Sequence, residues 1–235
     1  MRHVVKATLA IGLCLAGAAL AESTADRPVV VELYTSQGCA SCPAADEYFS
    51  TLASHPDVIA LALHVDYWDY IGWKDDFAQP RFTERQKTYA RAIGSRMIYT
   101  PQIIVGGSDR VEGNQPAEVA ALVERHRAQA PDVNLSLSRQ GNQLLVKAEA
   151  LRPLEDPLRV QLVRYRPEET VAIERGENAG RTMTYHNIVT SWEPVGDWTG
   201  EAPLSISLDV PGDDPAVVIL QEAGPSDIVA AARVD

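Results

Sequence analysis

The sequence predicts an α/β domain followed by an all-β, sandwich-like domain, and three observations predict it. Two continuous apolar runs, residues 29–34 and 58–65, flank a segment whose apolar positions recur at three and four, as strand, helix and strand of a parallel sheet require. After Pro101 a short apolar run turns at Gly106-Gly107, which signals a hairpin. Beyond Pro131 the pattern changes to period two, with Val133, Leu135 and Leu137 apolar and Asn134, Ser136 and Ser138 polar. The expected boundaries are a signal peptide over residues 1–21, a first domain over 22–132 and a second over 133–235.

At the N-terminus, Arg2 and Lys6 precede an apolar stretch from Leu9 to Leu20, and Ala19-Leu20-Ala21 is a small-residue cleavage site. A secretory signal of this kind implies a periplasmic or secreted protein. Cys14 lies inside the apolar stretch behind Leu13, where lipid attachment would call for a small residue. Nothing beyond the signal resembles a membrane span, so no membrane association is expected after cleavage.

In the first domain, Val29 to Tyr34 read as a buried strand that exits through the polar turn Thr35-Ser36-Gln37-Gly38. Pro43 suits a first helical turn, and Ala45, Tyr48, Phe49, Leu52 and Ala53 give the following helix its apolar side. Asp66 to Trp73 are dense in aromatics and acids without a clean period. We read them as an ordered loop packed over the sheet, with a wall of a substrate groove as the functional alternative. A helix over residues 81–93 closes at Gly94, and Pro116 opens another with Val119, Leu122 and Val123 inward. In the second domain, strand-like runs recur around Leu144, Val160, Val171, Ile188, Ile206, Val218 and Val229, which predicts a sandwich of roughly eight strands.

The chain of 235 residues carries 21 Lys and Arg against 32 Asp and Glu. Removing Arg2 and Lys6 with the signal leaves 19 basic groups, a net charge of −13, which argues against nucleic acid as a partner. After cleavage only Cys39 and Cys42 remain, so an oxidising compartment allows one intrachain disulfide and no leftover thiol. The spacing Cys39-Ala40-Ser41-Cys42-Pro43, between a strand and a helix, points to a redox-active dithiol whose first sulfur sits at a helix N-terminus, where the dipole favours a thiolate. A structural disulfide is the plain alternative, although closing so short a loop contributes only about 2 kcal/mol. His55, His64, His126 and His186 show no ligand spacing to the cysteines, so no metal set and no organic cofactor is called for.

The order strand, CxxC, helix, strand, helix, X-Pro, hairpin, helix resembles the thioredoxin fold over residues 29–130. The runs Val31-Glu32-Leu33-Tyr34-Thr35-Ser36-Gln37-Gly38-Cys39, His64-Val65-Asp66-Tyr67-Trp68-Asp69 and Thr100-Pro101-Gln102, with Gly176-Glu177-Asn178-Ala179-Gly180-Arg181, resemble DUF1223, a family of secreted bacterial proteins of unknown function with a thioredoxin-like core. The thioredoxin resemblance implies a cis peptide at Thr100-Pro101 beside the dithiol, with these two residues binding an extended substrate. It also implies Glu32 as a buried proton acceptor beneath the second cysteine, with a strand-edge Glu in water as the alternative. Gly38 and Ala40-Ser41 depart from the thioredoxin pattern, so its redox potential does not carry over.

The function expected is a thiol–disulfide oxidoreductase acting on thiols or disulfides of proteins and peptides, recycled by a further redox partner. Cys39 attacks and Cys42 resolves. A thioredoxin-like adaptor without catalysis, or a metal-delivery protein, is the alternative. Such chemistry needs a reachable Cys39 sulfur. Glu177, Asn178 and Arg181 read as a glycine-bounded hairpin tip, which would shape access to Cys39 if it folded back over the first domain.

Overall fold

A computed structural model describes residues 27–224 and 226–235, so the signal segment 1–21 lies outside the described residues. The first half runs β1 (Val29–Thr35), α1 (Pro43–Ala53), β2 (Val58–His64), α2 (Pro80–Ala92), β3 (Gln102–Val105), β4 (Asp109–Glu112) and α3 (Pro116–Arg127). Strands follow, without further helices among the described residues: β5 (Val133–Gln140), β6 (Gln143–Ala150), β7 (Leu158–Ala172), β8 (Thr182–Trp198), β9 (Leu204–Asp209), β10 (Ala216–Gln221) and β11 (Ile228–Val234).

The expectation of an α/β thioredoxin-like domain followed by a separate all-β sandwich is overturned. Strand accounts for 43% of the described residues and helix for 19%, which makes the protein mostly β. One mixed sheet of eight strands, in the order β11-β10-β7-β8-β2-β1-β3-β4, joins both halves of the chain. The joint is at β2, which is buried along its whole length. Its outer backbone edge needs a partner, and β8 supplies one in parallel at Ala62 and Ile188. Asn187 secures the joint. It takes a positive φ of 48° and donates from Nδ2 to the Ala60 carbonyl at 3.0 Å. The remaining strands β5, β6 and β9 form a three-stranded sheet.

The apolar side chains divide by strand parity. Val29, Val31 and Leu33 of β1 face α1 and α3 with Phe49, Val119 and Val123. Val30 and Tyr34 face the other way, toward Phe82 and Tyr89 of α2 and toward Val163, Trp192 and Ile219 from the second half. A third cluster packs Leu144 and Val146 of the small sheet against Val160, Trp198 and Val218. The second cluster therefore mixes side chains from both ends of the sequence, as a shared sheet requires.

Candidate functional site

The C-terminal ends of β1 and β2, paired at Thr35 and His64, carry the site. The chain leaves β1 through Ser36-Gln37-Gly38 and makes two tight turns, with Cys39 N–H bonded to Ser36 O at 3.1 Å and Cys42 N–H to Cys39 O at 3.2 Å. The helix then begins at Pro43, so Cys42 occupies the cap of α1 and Cys39 lies before it. This corrects the expectation that the first sulfur sits at the helix start, because Pro43, with its φ preset and no N–H to satisfy, fixes the first helical position. Cys39 and Cys42 are joined in a disulfide.

Both cysteines have 0% of their surface exposed, although Ala40 and Ser41 between them are exposed. The expectation of a reachable Cys39 sulfur does not hold in this state. Two segments close around it, the aromatic loop and a tip from the second half. Gly38 lets the aromatic loop approach, since a Cβ there would meet Trp68 Cβ and Ile71 Cδ1 at 3.2 Å. Trp73 Nε1 donates to Gln37 Oε1 at 2.7 Å. From the second half, Asn178 Nδ2 donates to both the Gln37 and Cys39 carbonyls at 2.9 Å. The tip carrying Glu177, Asn178 and Arg181 thus folds back onto the cysteine loop.

Thr100 and Pro101 lie beside the dithiol loop, and their peptide is cis. Ser41 Oγ lies 3.5 Å from Cys39 Sγ and donates to Thr100 O at 3.4 Å, which links the cysteines to this segment. Thr100 is itself buried, and its hydroxyl accepts from Trp68 Nε1 at 2.8 Å.

Glu32 does not lie beneath Cys42. It shares the β1 face of Val30 and Tyr34, on the side of the sheet away from α1, because alternate strand residues point to opposite faces. Its carboxylate accepts from Arg85 Nε and Nη2 at 2.8 Å, Tyr34 OH at 2.9 Å and Tyr89 OH at 2.7 Å. A carboxylate so fully engaged is a structural anchor.

The acid on the dithiol side is Asp46, which sequence reading missed. It lies one helical turn after Cys42, its N–H bonded to the Cys42 carbonyl at 3.0 Å, and its side chain is buried. Burial pushes its carboxyl up to about 7, against an opposing pull from nearby His64. His64 is fully buried and its Nδ1 lies 2.7 Å from Asp75 Oδ2. Burial depresses the imidazole, but Asp75, with Asp46 adding to it, outweighs this and holds it above its ordinary value. Burial likewise acts against ionised Asp75, yet His64 and the N–H groups of Gln37 and Phe77 hold its carboxyl below the ordinary range. Gln37 N–H donates to the same Asp75 Oδ2 at 2.9 Å, so the acid that binds His64 also anchors the cysteine loop.

Among the described residues, the buried side-chain atoms without a hydrogen-bond partner are Thr35 Oγ1, Gln37 Nε2, His64 Nε2, Asn178 Oδ1 and Arg110 Nε. The first four belong to segments surrounding the dithiol. No group of three or more His, Cys, Asp or Glu among the described residues is arranged to hold a metal ion.

The fold and site define a mostly β protein in which a disulfide loop caps a helix over buried acids and is covered by a hairpin tip. The protein of unknown function family DUF1223 matches residues 30–221, and the chain belongs to it. A crystal structure of an Agrobacterium tumefaciens protein is 33% identical, with a TM-score of 0.75 over 88% of this chain and 93% of that one. The HBP35 protein of Porphyromonas gingivalis shares the fold, at 13% identity and a TM-score of 0.58 over 88% of this chain and 74% of that one. No curated protein matches.

Proposed function

We propose that the protein is a periplasmic thiol–disulfide oxidoreductase that exchanges its Cys39–Cys42 pair with thiols or disulfides of proteins and peptides. The observation that carries this reading is a disulfide across the cap of α1 with a buried acid, titrating near neutrality, one turn below it. In the reducing direction the Cys39 thiolate attacks a substrate disulfide, forms a mixed disulfide and releases the substrate's other sulfur as a thiolate, which takes up a proton. Cys42 then gives its thiol proton to the Asp46 carboxylate, and its thiolate attacks Cys39 Sγ. The internal disulfide forms, the second substrate sulfur leaves, and two electrons have passed to the substrate. Oxidation of a dithiol substrate runs the same steps backwards, and a separate redox partner restores the starting state. Thr100 and Pro101, tied to the loop through Ser41, form the adjoining substrate contact in this reading.

Cys42→Ser, produced with its signal segment, is expected to accumulate mixed disulfides through Cys39, whereas the Cys39→Ser/Cys42→Ser double variant accumulates none. Nonreducing gels followed by mass spectrometry read the adducts. Equal adducts from both variants would refute the assignment.

One observation favours a second reading, a binding or adaptor protein with a purely structural disulfide: both sulfurs are fully covered. That reading requires the pair to remain oxidised across physiological glutathione ratios, whereas the exchange reading requires it to equilibrate.

A further inference from the structure

The cover over Cys39 is made of polar contacts that an amide-bearing partner can replace. The segment between β7 and β8 reverses at Gly176 and Gly180, with φ of 76° and 83°, and is stapled at its base by Ile173 N–H to Arg181 O at 2.9 Å and Gly180 N–H to Ile173 O at 2.8 Å. Its approach is close, since a Cβ on Gly176 would meet Trp73 Cβ at 3.2 Å. Yet the hydrogen bonds that seat it on the dithiol loop come from one side chain, the Asn178 amide, whose single Nδ2 group serves the Gln37 and Cys39 carbonyls. The seat is incomplete: Asn178 Oδ1 and Gln37 Nε2 are buried without partners, a cost relieved when water or another chain reaches them.

Those two carbonyls belong to the loop that presents Cys39, one of them to Cys39 itself. A polypeptide that brings its own cysteine to Cys39 lays backbone N–H groups against the same stretch, since peptide amides are its available donors. We propose that the tip between β7 and β8 is a displaceable cover, in which Asn178 holds the hydrogen-bonding positions that the amides of a partner polypeptide take over when the dithiol reacts. This rests on the exchange reading above. It adds where the partner's amides bind, at the Gln37 and Cys39 carbonyls, and that Cys39 is shielded until they displace Asn178.

The test is the rate of reduction of the oxidised protein by two reagents at equal thiolate concentration: dithiothreitol, which has no amide, and glutathione, a cysteinyl tripeptide. With one thiolate attacking Cys39 Sγ, Cys42 leaves as the thiolate, and a second reductant thiol completes the two-electron transfer. Asn178→Ala is expected to raise the dithiothreitol rate by about tenfold, the effect of removing two modest hydrogen bonds from the closed state. The glutathione rate should rise distinctly less, because its amides already compete for the carbonyls in the wild-type protein.

Trp73→Phe, which frees Gln37 Oε1 without touching Asn178, should accelerate dithiothreitol in the same direction and serves if Asn178→Ala does not fold. Unchanged dithiothreitol rates in the folded variants would overturn the cover. Equal acceleration with both reagents would overturn the peptide assignment. Neither outcome depends on trapping by Cys42→Ser, since dithiothreitol reduces a reachable disulfide whatever the protein's partners are.

Discussion

Glu32→Ala is expected to lower stability by about 3–5 kcal/mol, the usual effect of leaving one member of a buried ion pair without its partner. The Glu32 side chain is fully buried and that of Arg85 is 13% exposed, so solvent supplies little compensation. Arg85 lies with its guanidinium carbon 3.7 Å from the Trp192 ring centroid, and Trp192 Nε1 donates to Gln161 Oε1 at 2.8 Å. Gln161 Nε2 donates in turn to Gln221 Oε1 at 3.0 Å, and Gln221 Nε2 to Tyr89 OH at 2.9 Å. Burial holds the Tyr34 and Tyr89 phenols well above their ordinary values, so both donate to Glu32 at neutral pH. Removing the carboxylate therefore strands a guanidinium and two hydroxyls inside a network that ties β1 and α2 to β7, β8 and β10.

In urea a loss of this size moves the unfolding midpoint down by about 1–2 M. The double variant Glu32→Leu/Arg85→Met should recover part of it, because a matched apolar pair carries no desolvated charge. Reduction of the disulfide in the folded variant should proceed at the wild-type rate, since Glu32 lies on the opposite side of the sheet from α1. A midpoint shift below about 0.5 M would mean that water reaches the pair and that it does not bind the two halves of the sheet together.

Local order was legible in the sequence and long-range closure was not. The β-branched run through Val31 and the three-and-four spacing of Ala45, Phe49 and Leu52 dictate β1 and α1, because each depends only on near neighbours. The pairing of Ala62 with Ile188 spans more than a hundred residues, and nothing in either run names the other. That one joint turns the expected two layers of separate origin into a single mixed sheet. Strand parity contained the correction for Glu32: Thr35 lies on the side of Val31 and Leu33, and Glu32 does not. Using it required knowing which face α1 covers. Asp46 gave no signal at all, because an acid in a first helical turn is ordinary, and only the packing of His64 and α1 around it makes it unusual. Asn178 was visible only as a loop residue between glycines. What it touches follows from where β8 pairs.

Asp46→Asn is expected to stabilise the oxidised protein above neutral pH, by up to about 4 kcal/mol for a carboxyl raised from its ordinary value to about 7. The folded protein holds the Asp46 proton more tightly than the unfolded chain does. Its contribution to stability is therefore complete below the ordinary carboxyl pKa and is lost as pH rises toward 7. The uncharged amide removes that loss, so wild type and variant should unfold at similar urea concentrations near pH 4, diverge up to about pH 7 and keep a constant gap above it. A difference that does not change with pH would show that Asp46 titrates normally and takes up no proton near neutrality. If the divergence is found, the acid is kept at a cost to the fold, and the cost needs a reason at that position. Proton transfer with Cys42 is such a reason: the same Asp46→Asn change should prolong mixed disulfides on Cys39 by slowing their resolution most strongly near pH 7. Stability and turnover would then move in opposite directions on one substitution, which a merely structural aspartate does not do.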